Sequence, residues 1–248
     1  MTSYLMIRLY GPMASWGDIA VGEQRPTQGH PTKSAIIGLL AAALGIKREE
    51  EDKHLDLMAG YSMAVRVDSE GTLLRDYHTV QVPPPQRGRH YYTRRDEMSV
   101  PKYTMNTILS QRDYRVDAHY TVAITAKEAP YSLQELEAAL KQPRYMLYLG
   151  RKSCPLAFPL QPEIVEAEDL QSAFEMIEVD NKFIQQKRLS TANVERVKKY
   201  YWEDISLEET GFPATGVYMR HDRRDQLSSR RRWQFVNRQE QSLMVKEE

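Results

Sequence analysis

Cysteine is almost absent. Cys154 is the only one in 248 residues, which excludes an intramolecular disulfide and every zinc site built on paired cysteines. Long apolar runs are missing too: no stretch approaches the roughly 20 apolar residues needed to span a bilayer, and the short apolar run near the N-terminus carries no cleavage pattern. Charge of one sign is not in excess, since Lys+Arg and Asp+Glu both number 34. Only the distribution of charge can therefore speak about nucleic acid. The 6 histidines are scattered and no HExxH occurs, so metal-ligand spacing is also lacking. These absences predict a cytoplasmic protein in a reducing compartment, with no metal, no cofactor and no membrane partner. What is present is 41% hydrophobic residues, enough for the core of one large domain.

Residues 25–46, RPTQGHPTKSAIIGLLAAALGI, join a polar loop to the most apolar helix-forming segment of the chain. Pro31 donates no backbone hydrogen bond and Thr32 is a good N-cap, which predicts a helix from Lys33 to Leu44 closed by a left-handed Gly45. Ile36, Ile37, Leu40 and Leu44 share its buried face. Its N-terminus carries free N–H groups and partial positive charge. With Lys33 and Ser34 in the first turn behind Arg25, it would welcome a phosphate. Thr32 stands where a phosphate-binding P-loop needs glycine, so an NTPase is not expected.

Residues 3–10 alternate Leu5, Ile7 and Leu9 against Tyr4, Met6 and Arg8, the signature of a strand with one buried face. The following connection, about 20 residues long and rich in glycine and proline, far exceeds the usual ~4–6 and suggests a functional loop. Trp16 within it either caps the core beneath the loop or offers a base a stacking platform. The charged run at 47–53 reads as a solvated turn. A second strand follows with Tyr61, Met63, Val65 and Val67 on one face, and a third over residues 118–125. Ser132 and Glu135 make a capping box for a helix stopped before Pro143, and residues 145–149 then supply strand four. The resulting β-α-β-β-α-β order is the ferredoxin-like split arrangement, an α+β fold.

Between strands two and three lies an irregular insertion. Pro83, Pro84 and Pro85 exclude a central strand or helix there. Arg87, Arg89, Arg94, Arg95, Lys102, Arg112 and Arg115 outnumber Asp96, Glu97 and Asp113, and Tyr91, Tyr92 and Tyr103 are interleaved with them. Bases alternating with aromatics fit an arm for single-stranded nucleic acid, where arginines meet phosphates and rings stack on nucleobases. The plainer reading is a solvated insertion braced by its own tyrosines. At its root, His78 beside Tyr77 and Arg75 serves either base recognition or structure, and proton transfer would need a positioned partner. Cys154 sits in a basic stretch but reads as a small packing residue. After residue 162, strands are expected at 164–167, near 200–205, at 217–220 and at 232–236, with Asp169 capping a short helix. Basic residues gather at Lys182, Lys187, Arg188, Arg196, Lys198 and Lys199 and again at Arg223, Arg224, Arg230, Arg231 and Arg232. This tail either completes a smaller second sheet or forms an appendage.

Five segments in order, GPMASWG (11–17), RPT (25–27), PTKSAIIGLLAAALGI (31–46), RDYHTV (75–80) and PRYMLYLGRKSCPL (143–156), resemble the CasD family of type I-E CRISPR Cascade subunits, within the RAMP superfamily. The resemblance implies an RRM-like ferredoxin domain over residues 1–160, with a β-hairpin thumb at about 81–115, and a smaller β-rich part over 161–248. It also implies a non-catalytic subunit that holds the 5′ handle of the mature CRISPR RNA and contacts the backbone subunit and the large PAM-reading subunit. Carried onto this sequence, the RNA-binding set is Trp16, Arg25, Lys33, Ser34, Arg75, Tyr77, His78, Arg151 and Lys152, with Arg87, Arg89, Arg94 and Arg95 on the thumb. The rival reading is a metal-independent endoribonuclease of CRISPR repeats, with His78 or Tyr77 as base and Lys33 as electrostatic stabiliser. A third is a scaffold that binds only protein.

Overall fold

The computed structural model describes residues 1–85, 87–177, 197–213 and 215–246. The basic residues Lys182, Lys187, Arg188 and Arg196 lie outside the described residues. The chain enters through β1 (Thr2–Tyr10) and makes two short strands, β2 (Met13–Ala14) and β3 (Gln24–Arg25), before helix α1 (Lys33–Leu44). α1 begins and ends where its caps dictate: the Thr32 side chain accepts from the Ala35 N–H, and Gly45 closes the helix at φ 76°. α2 (Glu51–Gly60) replaces the expected solvated turn. Glu51 and Asp52 sit at its positive end, and His54, Leu57 and Met58 recur at helical spacing to bury one face.

β4 (Tyr61–Ser69), β5 (Thr72–Val82), a single turn α3 (Arg94–Glu97), β6 (Asn106–Val116) and β7 (His119–Ala126) follow. Then come α4 (Leu133–Lys141), β8 (Glu163–Ala167), α5 (Leu170–Met176), β9 (Val197–Trp202), β10 (Val217–Ser229) and β11 (Gln234–Lys246). The Ser132–Glu135 capping box starts α4 as the sequence predicts. The architecture is mixed α+β and mostly sheet.

A 7-stranded sheet runs in the order β10-β11-β9-β4-β7-β1-β8, and its neighbours are all antiparallel. Leu5 lies opposite Ile124 and Ile7 opposite Val122, while Met63 and Val65 face the same two residues from β4. This apolar row packs under α1, α2 and α4 through Ile36, Leu40, Leu57, Leu136 and Leu140. Each such side chain contributes on the order of 1.5–3 kcal/mol by leaving water. The other face of β1 is covered as well. Tyr4 and Met6 pack with Phe174 of α5 and with Trp202, so β1 has two buried faces where its alternation suggested one.

Two expectations about the second half are corrected. The strand beside β1 is β8, and residues 145–149 are not in a strand. The segment before them instead satisfies free carbonyls at the end of α1, with Arg144 N donating to Ala43 O at 3.0 Å and Tyr145 N to Ala42 O at 3.1 Å. The C-terminal strands also do not build a sheet of their own. β9 pairs with the open edge of β4 and carries β11 and β10 outward in the same sheet, which satisfies an edge that would otherwise be exposed. A second, 4-stranded sheet is the β5–β6 hairpin with β2 and β3 against β6.

Candidate nucleic-acid interface

The positive end of α1 is occupied by carboxylates of the same chain. Lys33 N donates to Asp225 Oδ2 of β10 at 2.7 Å, and Lys33 Nζ pairs with Glu203 Oε1 at 2.7 Å. Arg238 reaches Asp225 at 2.7 Å, Glu240 at 2.9 Å and Glu203 at 3.4 Å. Glu240 also meets Arg223 at 3.1 Å and His30 at 3.0 Å, and the His30 ring stacks on Tyr201 with centroids 3.6 Å apart. With His30 neutral, the cations Lys33, Arg223 and Arg238 balance Glu203, Asp225 and Glu240. No charge is left over for a phosphate. The expectation for Lys33 is therefore corrected: the helix end does call for an anion, but Asp225 supplies it, and Lys33 is only 4% exposed. Ser34, partly exposed beside Thr32, remains on the outer side of the helix.

This cluster makes stability acid-sensitive. Desolvation pushes the His30 pKa below its ordinary 6.5, against the pull of Glu240. Burial pushes the Glu240 carboxyl up, but His30, Arg223 and Arg238 together overcome it and hold the group at about 2. The unfolded chain binds the proton on His30 more readily, so that contribution is complete above pH 6.5 and is lost as pH falls below it. Glu240 adds a further loss as pH falls from 4.5 towards 2. Glu203, pushed up by burial, works in the opposite sense. Denaturant midpoints should hold steady above neutrality and fall on acidification below pH 6.5, and His30→Gln should flatten that part of the profile.

Beside the cluster, a groove of about 810 Å³ opens between α1 and the β10–β11 hairpin. Ser34, Ala35, Gly38 and Ala42 form its floor, and residues 146–151 form one wall. That wall is seated by Gly150, which has φ +81°, and a Cβ there would stand 1.9 Å from the Ser15 carbonyl oxygen. Gly150→Ala should destabilise by at least about 2 kcal/mol, from the left-handed backbone and the clash together. A thermal melt should show a drop of roughly 4–8 °C.

Arg151 crosses from this wall to the opposite loop. Its Nη2 donates to the Arg25 carbonyl at 2.9 Å, and its guanidinium lies 5.0 Å from the Tyr114 ring centroid. Arg25 is exposed but directs its Nη1 at the carbonyls of Gly22 and Gln24, 2.7 and 2.9 Å away, closing its own loop. Lys152 is exposed at the turn. Trp16 is 1% exposed and meets Tyr120 edge-on at 5.6 Å. It caps the core, so its assignment as an RNA-binding ring is corrected. Cys154 is fully buried and burial pushes its thiol up, as suits a packing residue.

The inserted arm is a long hairpin. β5 and β6 pair from Thr72 opposite Val116 to Val82 opposite Asn106, so its stem begins well before the expected residue 81. Arg75 holds Asp113 in a two-pronged pair at 2.9 and 3.1 Å, and that guanidinium keeps the Asp113 carboxyl below the usual range. Tyr77, 56% exposed, lines a crevice of about 390 Å³ with Val21 and Leu109. His78 projects to the other face of β5 and pairs with Asp76.

Thr93 and Asp96 cap the short helix α3 at the tip. Arg94 pairs with Glu97 at 2.6 Å, and Arg89 lies over the Tyr91 ring at 5.0 Å. Arg87, Arg89 and Arg95 are exposed and form no ion pair among the described residues. Tyr92 and Tyr103 are each 89% exposed. The structure thus collects Ser34 and Arg151 in the groove, with the Arg25 carbonyl held by Arg151, and a second group of assigned arginines on the hairpin. It sets Lys33 and Trp16 aside in the core.

Sequence reasoning missed Trp233, which lines the groove, and Arg48, whose guanidinium lies 4.7 Å from the Trp233 ring centroid. The arginine cluster at 230–232 was the only signal leading there. Among the described residues no helix is long and apolar enough to cross a membrane, and no group of three or more His, Cys, Asp or Glu could hold a metal ion.

A family model described as "CRISPR-associated protein (Cas_Cas5)" matches residues 4–240. The Escherichia coli (strain K12) protein "CRISPR system Cascade subunit CasD" is 39% identical over 182 residues, 70% of this chain and 76% of that protein. A solved chain from a "CRISPR RNA-guided surveillance complex" is similar with a TM-score of 0.63 at 24% identity, over 98% of this chain and 89% of that chain. Another, titled "Crystal structure of Cas protein", has a TM-score of 0.56 at 28% identity, over 98% of this chain and 93% of that one.

Proposed function

The chain belongs to the Cas5 family of CRISPR-associated proteins, and from that premise we propose that it is a Cascade subunit that holds the 5′ handle of the CRISPR RNA without cutting it. The observation that carries the RNA-holding role is the hairpin tip. Arg87, Arg89 and Arg95 stand exposed and form no ion pair among the described residues, and the same inserted arm carries the exposed rings of Tyr92 and Tyr103. Such a tip suits a strand whose phosphates meet arginine and whose bases stack on rings.

We take β4-β7-β1-β8 with α1 and α4 as a ferredoxin-like, RRM-like RAMP unit. Residues 1–160 carry the thumb and the loops that grip RNA, and residues 161–248 brace them. The free edges of the assembly are left to the partners, a backbone subunit and a large subunit.

The endoribonuclease reading has less support. Lys33, the electrostatic stabiliser it names, is buried against Glu203, away from either candidate base on β5. A scaffold that binds only protein predicts that charge reversal at Arg94 and Arg95 leaves RNA binding untouched. The test of the proposal is a titration with repeat RNA at several salt concentrations. Affinity should fall with a log–log slope of about −0.7 per neutralised phosphate. An affinity that ignores salt contradicts it.

A further inference from the structure

The thumb hairpin leaves the main sheet at a corner. β4 turns into β5 at residues 70–71 and β6 into β7 at residues 117–118. The two turns lie side by side, since Ser69 faces His119 and Thr72 faces Val116. Both use left-handed backbone, Gly71 at φ 63° and Asp117 at φ 56°. A Cβ at Gly71 would stand 2.2 Å from the Val116 carbonyl oxygen, so the turn demands glycine. Two tight turns at one level make a hinge line. Beyond it the 11 residues of β6 extend about 33 Å at the usual strand rise, so a tilt of about 5° at the corner carries the far end of the stem about 3 Å. β5 has no strand on its outer edge among the described residues, and the tilt must be set from the side of β6.

The supports on that side are β2 and β3, two residues each, with Ala14 opposite Arg115 and Arg25 opposite Arg112. Struts this short need holding themselves. Ser15, next to β2, donates its amide to the Leu149 carbonyl at 3.1 Å and its hydroxyl to the Asp113 carbonyl at 3.1 Å. Arg151 does the same for β3. Its Nη2 holds the Arg25 carbonyl at 2.9 Å, its Nη1 lies 3.5 Å from the Asp113 carbonyl, and its plane rests 5.0 Å from the Tyr114 ring centroid. One half-buried side chain thus touches β3 and β6 together, from the wall that Gly150 locks against Ser15. Its partners are neutral backbone oxygens and a ring, not anions. A planar fork reaches carbonyls on two strands at once, which the single ammonium of a lysine cannot.

We propose that Arg151 is a positioning residue that fixes the angle of the thumb against the main sheet, and that it acts on RNA through the thumb arginines rather than by touching a phosphate. The angle itself requires no RNA, whereas the effect on affinity rests on the RNA-holding reading.

Spin labels read the angle directly. Cys154 is fully buried, so cysteines introduced as Ser99→Cys on the thumb and Ala138→Cys on α4, both at exposed positions, take the labels alone. Their separation is measured by pulsed dipolar spectroscopy on the full-length protein. The parent should give one narrow distance distribution. Arg151→Lys keeps the stem and the charge but loses the fork, and it should shift or broaden that distribution by about 3 Å or more, as Arg151→Gln should. On unlabelled protein, each variant should weaken binding of repeat RNA about tenfold, the loss of about one arginine contact. Neither should weaken it further once Arg87, Arg89 and Arg95 are glutamine, because effects that act through the same groups do not add. Parental distances in both Arg151→Lys and Arg151→Gln overturn the proposal. An Arg151→Gln loss of equal size with and without the thumb arginines also overturns it, by marking a direct phosphate contact. If the parent retains no RNA, the RNA-holding reading fails while the distances still decide the brace.

Discussion

Replacing Arg87, Arg89 and Arg95 together by glutamine should weaken binding of repeat RNA about a thousandfold and leave the melting temperature unchanged. A hydrogen bond to a charged group contributes on the order of 1.5 kcal/mol, close to a factor of ten in affinity for each arginine. None of the three is engaged by a carboxylate among the described residues, so no internal anion there competes with a phosphate. The slope of log affinity on log salt should become shallower by about 2, at about 0.7 per contact. Stability should hold because these side chains are exposed at a hairpin tip, where substitutions usually stay within about 0.5 kcal/mol. Arg94 should matter less, since Glu97 already neutralises it at 2.6 Å. Unchanged affinity in the triple variant would remove the thumb from the account.

Lys33→Met should do the reverse, unfolding the protein readily while sparing RNA binding. Removing one partner of a buried ion pair leaves the other charge uncompensated, at a cost of about 3–5 kcal/mol. The melting temperature should then fall by roughly 6–20 °C. Glu203, at 2.7 Å and 4% side-chain exposure, would lose its nearer partner and keep only Arg238 at 3.4 Å, leaving three carboxylates against two arginines in the cluster. Lys33→Met with Glu203→Leu should recover much of the loss, because apolar groups of similar volume often replace a buried pair without penalty. Below its lowered melting temperature, the single variant should bind RNA within about twofold of the parent. A Lys33→Met protein of normal stability that fails to bind RNA would return Lys33 to the interface.

The contrast between these two variants marks how far the residues alone could be followed. Caps are local, so Thr32 and Gly45 announced both ends of α1 to the residue, and the Ser132–Glu135 box announced the start of α4. The basic and aromatic character of the thumb was equally visible, because exposed charge has to be maintained by sequence. Pairing across the chain was not. Asp225 lies 192 residues from the Lys33 amide it accepts from, and nothing near Lys33 reveals that its phosphate-like site is already filled. Trp16 posed the same problem: a loop tryptophan can turn inward or outward, and only the Tyr120 ring beneath it decides. α2 was hidden because the acidic start of a helix and a solvated turn have the same composition. The groove is assembled from α1, residues 146–151 and the β10–β11 hairpin, brought together by β9 joining β4.

The central claim is that this chain grips the repeat-derived end of the guide RNA and does not cut it. The most direct measurement incubates purified protein with end-labelled repeat RNA in EDTA and runs native and denaturing gels side by side. The account predicts a shifted band on the first and intact RNA on the second. A specific product ending in a 2′,3′-cyclic phosphate, abolished by His78→Ala, would contradict it and make the chain the processing enzyme.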